Sequence, residues 1–170
     1  MRPDPWFTVQ LEPLPQHPES SLGAPAIRFC VPCWWMPRGG GNRVDRKPIL
    51  ATELDYTVIP RYVYDRAKIR IDDLSEEPYA TWQGVDCFVG TARFGLPADE
   101  WPRPVGDTTD IHRAFLPLSM RVLLPERDPL GSRRQILIGM SFFVQYTARL
   151  RLDGLPPGEA QILIPGRPRT

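Results

Sequence analysis

The chain has 170 residues, 42% of them apolar, with 21 prolines and 13 glycines. That is enough for one domain with its own core, and it describes many short elements broken by turns, which predicts a mostly β fold. Lys and Arg number 21 against 20 Asp and Glu, a net charge of +1; with no global positive field, nucleic acid is excluded as the default partner. No apolar run approaches a membrane-spanning helix, so no membrane partner is expected. Three cysteines, an odd number, suit a reducing compartment better than a disulfide framework, and the expected location is cytoplasmic.

In chain order, residues 1–25 read as an extended Pro-rich N-terminal arm, with a possible edge strand at Trp6 to Leu11. "AIRFCVPCWWM", then the turn "PRGGGN", then "RKPILATEL" predict a hairpin. "RYVYDRAKIRID" predicts a short helix passing into a strand, and "YATWQGVDCFVGTARFGLP" a strand pair with a tight bend. An irregular loop, "ADEWPRPVGDTTDIHRAF", leads to a strand at "LPLSMRVLLPE" and a turn at "RDPLGSRR". A buried strand follows at "QILIG", then a helical turn and a long strand in "MSFFVQYTARLRLDG". Residues 26–155 thus form the folded domain, and 156–170 a C-terminal strand, "GEAQILIP", with the basic tail "GRPRT".

Candidate chemistry is sparse. Cys30 and Cys33 have the CxxC spacing of redox and zinc sites. A thioredoxin-like pair sits at a helix N-terminus, whereas Pro32 and the aromatic run favour a strand, in which residues three apart point to opposite faces. A zinc site needs about four ligands, and Cys87, His17 and His112 stand at no recognised spacing, so no metal or cofactor is expected. Neither histidine lies in a Ser or Cys nucleophile context. Trp34 and Trp35 point to opposite faces of their strand, one inward and one outward. "PRGGGN" lacks the Lys-Ser/Thr of a phosphate loop, and "IDDLSEE" reads as a solvated acidic turn.

Two segments in order, "ILATELDYTVIP" (49–60) and "ILIGMSFFVQYTARLRLDG" (136–154), resemble the retropepsin-like, or retroviral-type, aspartic proteases. Thr52 takes the Thr place of the catalytic Asp-Thr-Gly-Ala turn, Leu54 the Ala place, and "DYTVIP" continues in register. The second segment matches the family's pattern of two apolar residues and a Gly before a short helix, and "YATWQGVDCFVG" stands where the family carries its flap. The likeness spans roughly 26–154 and implies a single-domain closed β-barrel with a flap hairpin and one or two short helices. It also implies a homodimer and an extended peptide ligand, with Asp55, Thr57, Trp82, Gln83, Gly84 and Gly139 around the cleft.

The likeness breaks at the chemistry. In the family each subunit supplies one Asp of a dyad that shares a proton. Ala51 stands in that place here, and Glu53 replaces the Gly two positions on. The expectation is therefore a pseudoprotease that binds a peptide or serves as an assembly module, with no catalytic residue. Two alternatives stay open: an endopeptidase using Glu53 as a non-standard acid, and a thiol or metal function at Cys30 and Cys33.

Overall fold

A long strand that buries one face at its start and the other face at its end organises the molecule. The computed structural model describes residues 6–13, 29–40, 44–98, 114–132, 134–153 and 159–165. The strands are β1 (Trp6–Gln10), β2 (Glu12–Pro13), β3 (Phe29–Cys30), β4 (Cys33–Trp35), β5 (Val44–Arg46), β6 (Ile49–Leu50), β7 (Thr57–Val58), β8 (Ile71–Asp72) and β9 (Ala80–Trp82). After them come β10 (Val85–Ala98), β11 (Ala114–Pro125), β12 (Leu137–Ile138), β13 (Arg149–Asp153) and β14 (Glu159–Pro165). Helix α1 (Arg61–Ala67) follows β7, and α2 (Ser141–Tyr146) follows β12.

The architecture is mostly β with two short helices, as the composition predicts. The main sheet curls into a half-barrel in the order β2-β3-β6-β12-β7-β11-β10-β4-β5, with β8 and β9 also paired to β10. A second, three-stranded sheet runs β1-β14-β13. The stretch read as an arm with a possible edge strand contains β1, which lies at one edge of that sheet, and Val9 and Leu11 are buried in the principal core.

β10 explains how two cores coexist. Its odd residues Cys87 and Val89 join a small cluster with Val58, Trp82 and Leu123. Its even residues Ala92, Phe94 and Leu96 join the large cluster with Trp35, Ile59, Met120, Ile136 and Phe142. The register with β11 is continuous from Cys87↔Pro125 to Ala98↔Ala114. Side chains alternate across a strand, so one long strand passing between two apolar masses feeds both. At the crossing point Gly90 lets β8 close in: a Cβ there would stand 2.9 Å from the Asp72 carbonyl oxygen.

The expected hairpin around "PRGGGN" forms, with β4 antiparallel to β5 and Cys33 opposite Arg46. Trp35 is buried and stacks on Phe94 at 5.2 Å, while Trp34 is half-buried, as alternation predicts. Helix α2 buries Phe142 and Phe143. Tyr146 pins its end to β11, its hydroxyl donating to the Ser119 carbonyl and accepting from the Ser119 amide at 2.9 Å.

Candidate functional site

The loop between β6 and β7 is held from beneath by the corner between β12 and α2. β6 and β12 run parallel, Leu50 beside Ile138, and the Ala51 amide donates to the Ile138 carbonyl at 2.9 Å. The Leu54 amide closes a turn onto the Ala51 carbonyl at 3.1 Å. From the corner, the Met140 amide donates to the Leu54 carbonyl and the Ser141 amide to the Asp55 carbonyl, each at 2.7 Å. The Gly139 amide donates to the Thr57 hydroxyl at 3.2 Å. Two segments 82 residues apart therefore form one knot of hydrogen bonds made mostly by backbone groups, with the buried Ser141 hydroxyl left without a partner.

Only glycine fits at the centre of the knot. A Cβ on Gly139 would run into the Tyr56 carbonyl and stand 2.9 Å from the Leu54 carbonyl oxygen. Gly139 and Thr57, expected to line a cleft, are both buried and serve instead to join the loop to the corner.

The loop itself divides cleanly. Ala51 is 2% exposed, so the place expected of a catalytic acid holds a buried methyl group. Thr52, Glu53 and Asp55 are exposed and Leu54 and Tyr56 half-buried. Glu53, the one alternative acid beside Ala51, is thus an exposed residue of the loop.

The expected flap is a short hairpin, β9 antiparallel to the start of β10 with Trp82 opposite Val85. Gln83 and Gly84 form its tip, with φ of 49° and 74°, the positive pair of a type I′ turn. Both tip residues are exposed. Trp82 is not: it is 7% exposed and packed in the small core with Val58 and Leu123, against which Leu54, Tyr56 and Leu137 also lie. The hairpin thus rests on the loop, with its own indole filling the space between them.

A tyrosine pair, which the sequence reading missed, fastens the two. The Tyr56 and Tyr79 hydroxyls are 3.2 Å apart and their rings meet edge to face at 5.9 Å. The Arg121 guanidinium lies 5.4 Å from the Tyr79 ring centre. The hydrogen bond to Tyr79 is the main cause that raises the Tyr56 phenol above its ordinary pKa. Both tyrosines lie in segments singled out in the sequence, Tyr56 in "ILATELDYTVIP" and Tyr79 at the start of "YATWQGVDCFVG", but nothing local marks them as partners and only the tertiary pairing brings them together.

Cys30 closes β3 and Cys33 opens β4, with Val31 and Pro32 between the strands. Both thiols are buried and not in a disulfide. Burial pushes the Cys30 thiol up, opposite to the shift that activates a nucleophilic cysteine. Among the described residues no group of three or more His, Cys, Asp or Glu is placed to hold a metal ion. His17 and His112, the Gly106–Asp110 loop and the end of the second signature at Gly154 lie outside the described residues. Among the described residues no helix is long and apolar enough to cross a membrane.

No protein-family model matches the chain, and no curated protein matches it in sequence. Among solved structures, the crystal structure of a retropepsin-like aspartic protease from Rickettsia conorii is similar, with a TM-score of 0.44 and 14% identity over 94% of this chain and 95% of that chain.

Proposed function

We propose that this chain is a catalytically impaired retropepsin-like aspartic protease homologue, a pseudoprotease that acts as a homodimer and binds an extended peptide or assembles with a protein partner. One observation carries the reading. The loop that matches the family's catalytic turn is intact and tied to the Gly139 corner, yet presents a buried methyl at Ala51. Peptide hydrolysis by a carboxylate dyad needs one group to take a proton from water and a second to give one to the carbonyl oxygen. A methyl group does neither.

In this reading the hairpin of β9 and β10 lifts to admit the ligand, which parts Tyr56 from Tyr79 and withdraws Trp82. The exposed tip, Gln83 and Gly84, and the exposed Asp55 then offer polar contacts to an extended backbone, which gains affinity from main-chain hydrogen bonds and specificity from alternate side chains. The test pairs binding with hydrolysis. Purified protein should bind members of an immobilised peptide library and cleave none of a fluorogenic library between pH 3 and 7. The double substitution Ala51→Asp with Glu53→Gly should gain acid-optimum cleavage. Absence of any bound peptide removes the binding half of the proposal, and wild-type cleavage that vanishes in Glu53→Gln replaces it with the Glu53 endopeptidase.

A further inference from the structure

Away from the loop and the hairpin, helix α1 carries four guanidinium groups on two phenol rings. Arg38 lies 4.1 Å and Arg61 5.6 Å from the centre of the Tyr64 ring. Arg134 lies 4.4 Å and Arg66 5.8 Å from the centre of the Tyr62 ring. Val63 and Ala67 are the buried residues of α1, so at 100° per residue Asp65 occupies the middle of the outward face and the two Arg–Tyr groups flank it. Lys68, exposed at the helix end, accepts the Arg38 amide on its carbonyl and adds a further positive charge.

Little on the molecule neutralises this array. Among the described residues, of the four arginines only Arg61 has a carboxylate within 4.0 Å, Asp65 at a loose 3.8 Å. The other nearby acid, Asp128, is committed to the helix start, where its two oxygens accept the Arg61 amide at 2.7 Å and the Tyr62 amide at 2.9 Å. Four arginines and Lys68 thus meet two carboxylates, Asp65 and Asp128, at this helix.

We propose that this face of α1 is a docking surface for an acidic segment of a partner protein. A guanidinium over a phenol ring is restrained there; Arg38 donates one N–H to the Tyr64 carbonyl at 3.2 Å, and the remaining N–H groups of the exposed Arg38, Arg66 and Arg134 are within reach of a carboxylate, which a guanidinium binds through two parallel hydrogen bonds. Single-stranded nucleic acid is the poorer fit: it needs open aromatic faces for its bases, and here the faces carry arginine. A continuous line of phosphates would also meet Asp65 at its middle. Two carboxylates straddling a helix about 10–12 Å wide match acidic residues four apart in an extended chain, which share one face and stand about 13 Å apart at about 3.3 Å per residue.

None of these residues belongs to the loop at 51–56 or the hairpin at 79–87, so the outcome is independent of the peptide-cleft reading. The experiment is fluorescence anisotropy with a labelled peptide bearing two glutamates four residues apart, titrated with the full chain at two salt concentrations. Binding is expected to weaken with salt, and by about fivefold in Arg38→Gln and in Arg134→Gln. Asp65→Asn should tighten it, because the competing carboxylate is gone, and Arg134→Lys should restore only part of the loss, because ammonium keeps the charge without the planar fork. Circular dichroism melts check that each variant is folded. Affinity unchanged in both arginine variants, or no salt-dependent binding at all, overturns the proposal. Tighter binding of an oligothymidylate of equal charge overturns it in favour of nucleic acid.

Discussion

At Gly139 a single missing methyl group decides whether loop and corner join. The carbonyls of Leu54 and Tyr56 crowd the space where a side chain would begin, and both are backbone atoms that cannot swing aside. Gly139→Ala should therefore push the corner away from the loop and strain the bonds from Met140 and Ser141, costing about 1–3 kcal/mol, the range for overpacking a tight site. Chemical denaturation of the two proteins measures it. The thiols supply a second prediction. Burial is the main cause that raises Cys30 and Cys87 above the ordinary value of 9.0. Because the fold favours the protonated form, the associated stability is fully present below about pH 9 and is lost as pH rises through the raised values. The melting temperature should hold from pH 7 to 8 and fall above 9, less steeply in Cys30→Ala with Cys87→Ala.

Among the elements, α1 shows how a helix with a poor start is rescued. Pro60 stands at its N-cap and offers no side-chain oxygen, and the first turn holds no acidic residue. Asp128, 67 residues away from Arg61, supplies both acceptors from the turn after β11. Asp128→Ala leaves two amides to water and should cost about 1–2 kcal/mol, as lost caps do. It should also release the turn that carries Arg134 from α1, so far-ultraviolet dichroism and the melting temperature should fall together. The contrast with the rest of the chain says what the sequence could reveal. The β4–β5 hairpin, α2 and β14 are legible because their signals are local: a glycine-rich turn, an apolar pair at Phe142 and Phe143, alternation in "QILIP". The Asp128 cap, the Tyr56–Tyr79 contact and the burial of Trp82 join residues far apart, and a Trp beside a turn carries no mark of whether it opens to a ligand or fills a gap. In the candidate site the apolar Ala51 beside Thr52 and Glu53 was legible, but the knot that keeps its loop in place was not.

For the whole molecule the remaining question is how two copies would meet, and the small sheet gives the physical argument. β14 pairs with β1 on one side and β13 on the other, which places β13 at one end of the sheet among the described residues. Its Leu150 and Leu152 lie on one face by alternation and both are exposed, Leu152 at 60%, with Val144 of α2 at 79%. Edge strands of soluble proteins are normally short, charged or covered; this one alternates Arg with Leu and exposes apolar side chains. Packing of this apolar patch on its copy about a two-fold axis would bury these leucines against each other, an isologous contact that closes on itself. Leu152→Glu sets two carboxylates together at that contact and should shift the protein from dimer to monomer at micromolar concentration in sedimentation velocity. The melting temperature of the monomer should change little, since the residue is exposed within its own chain. The same substitution added to Ala51→Asp with Glu53→Gly should erase the gained hydrolysis, because a dyad needs one acid from each copy. A wild type that sediments as a monomer at every concentration removes the dimer, and with it any route by which two such loops could face each other.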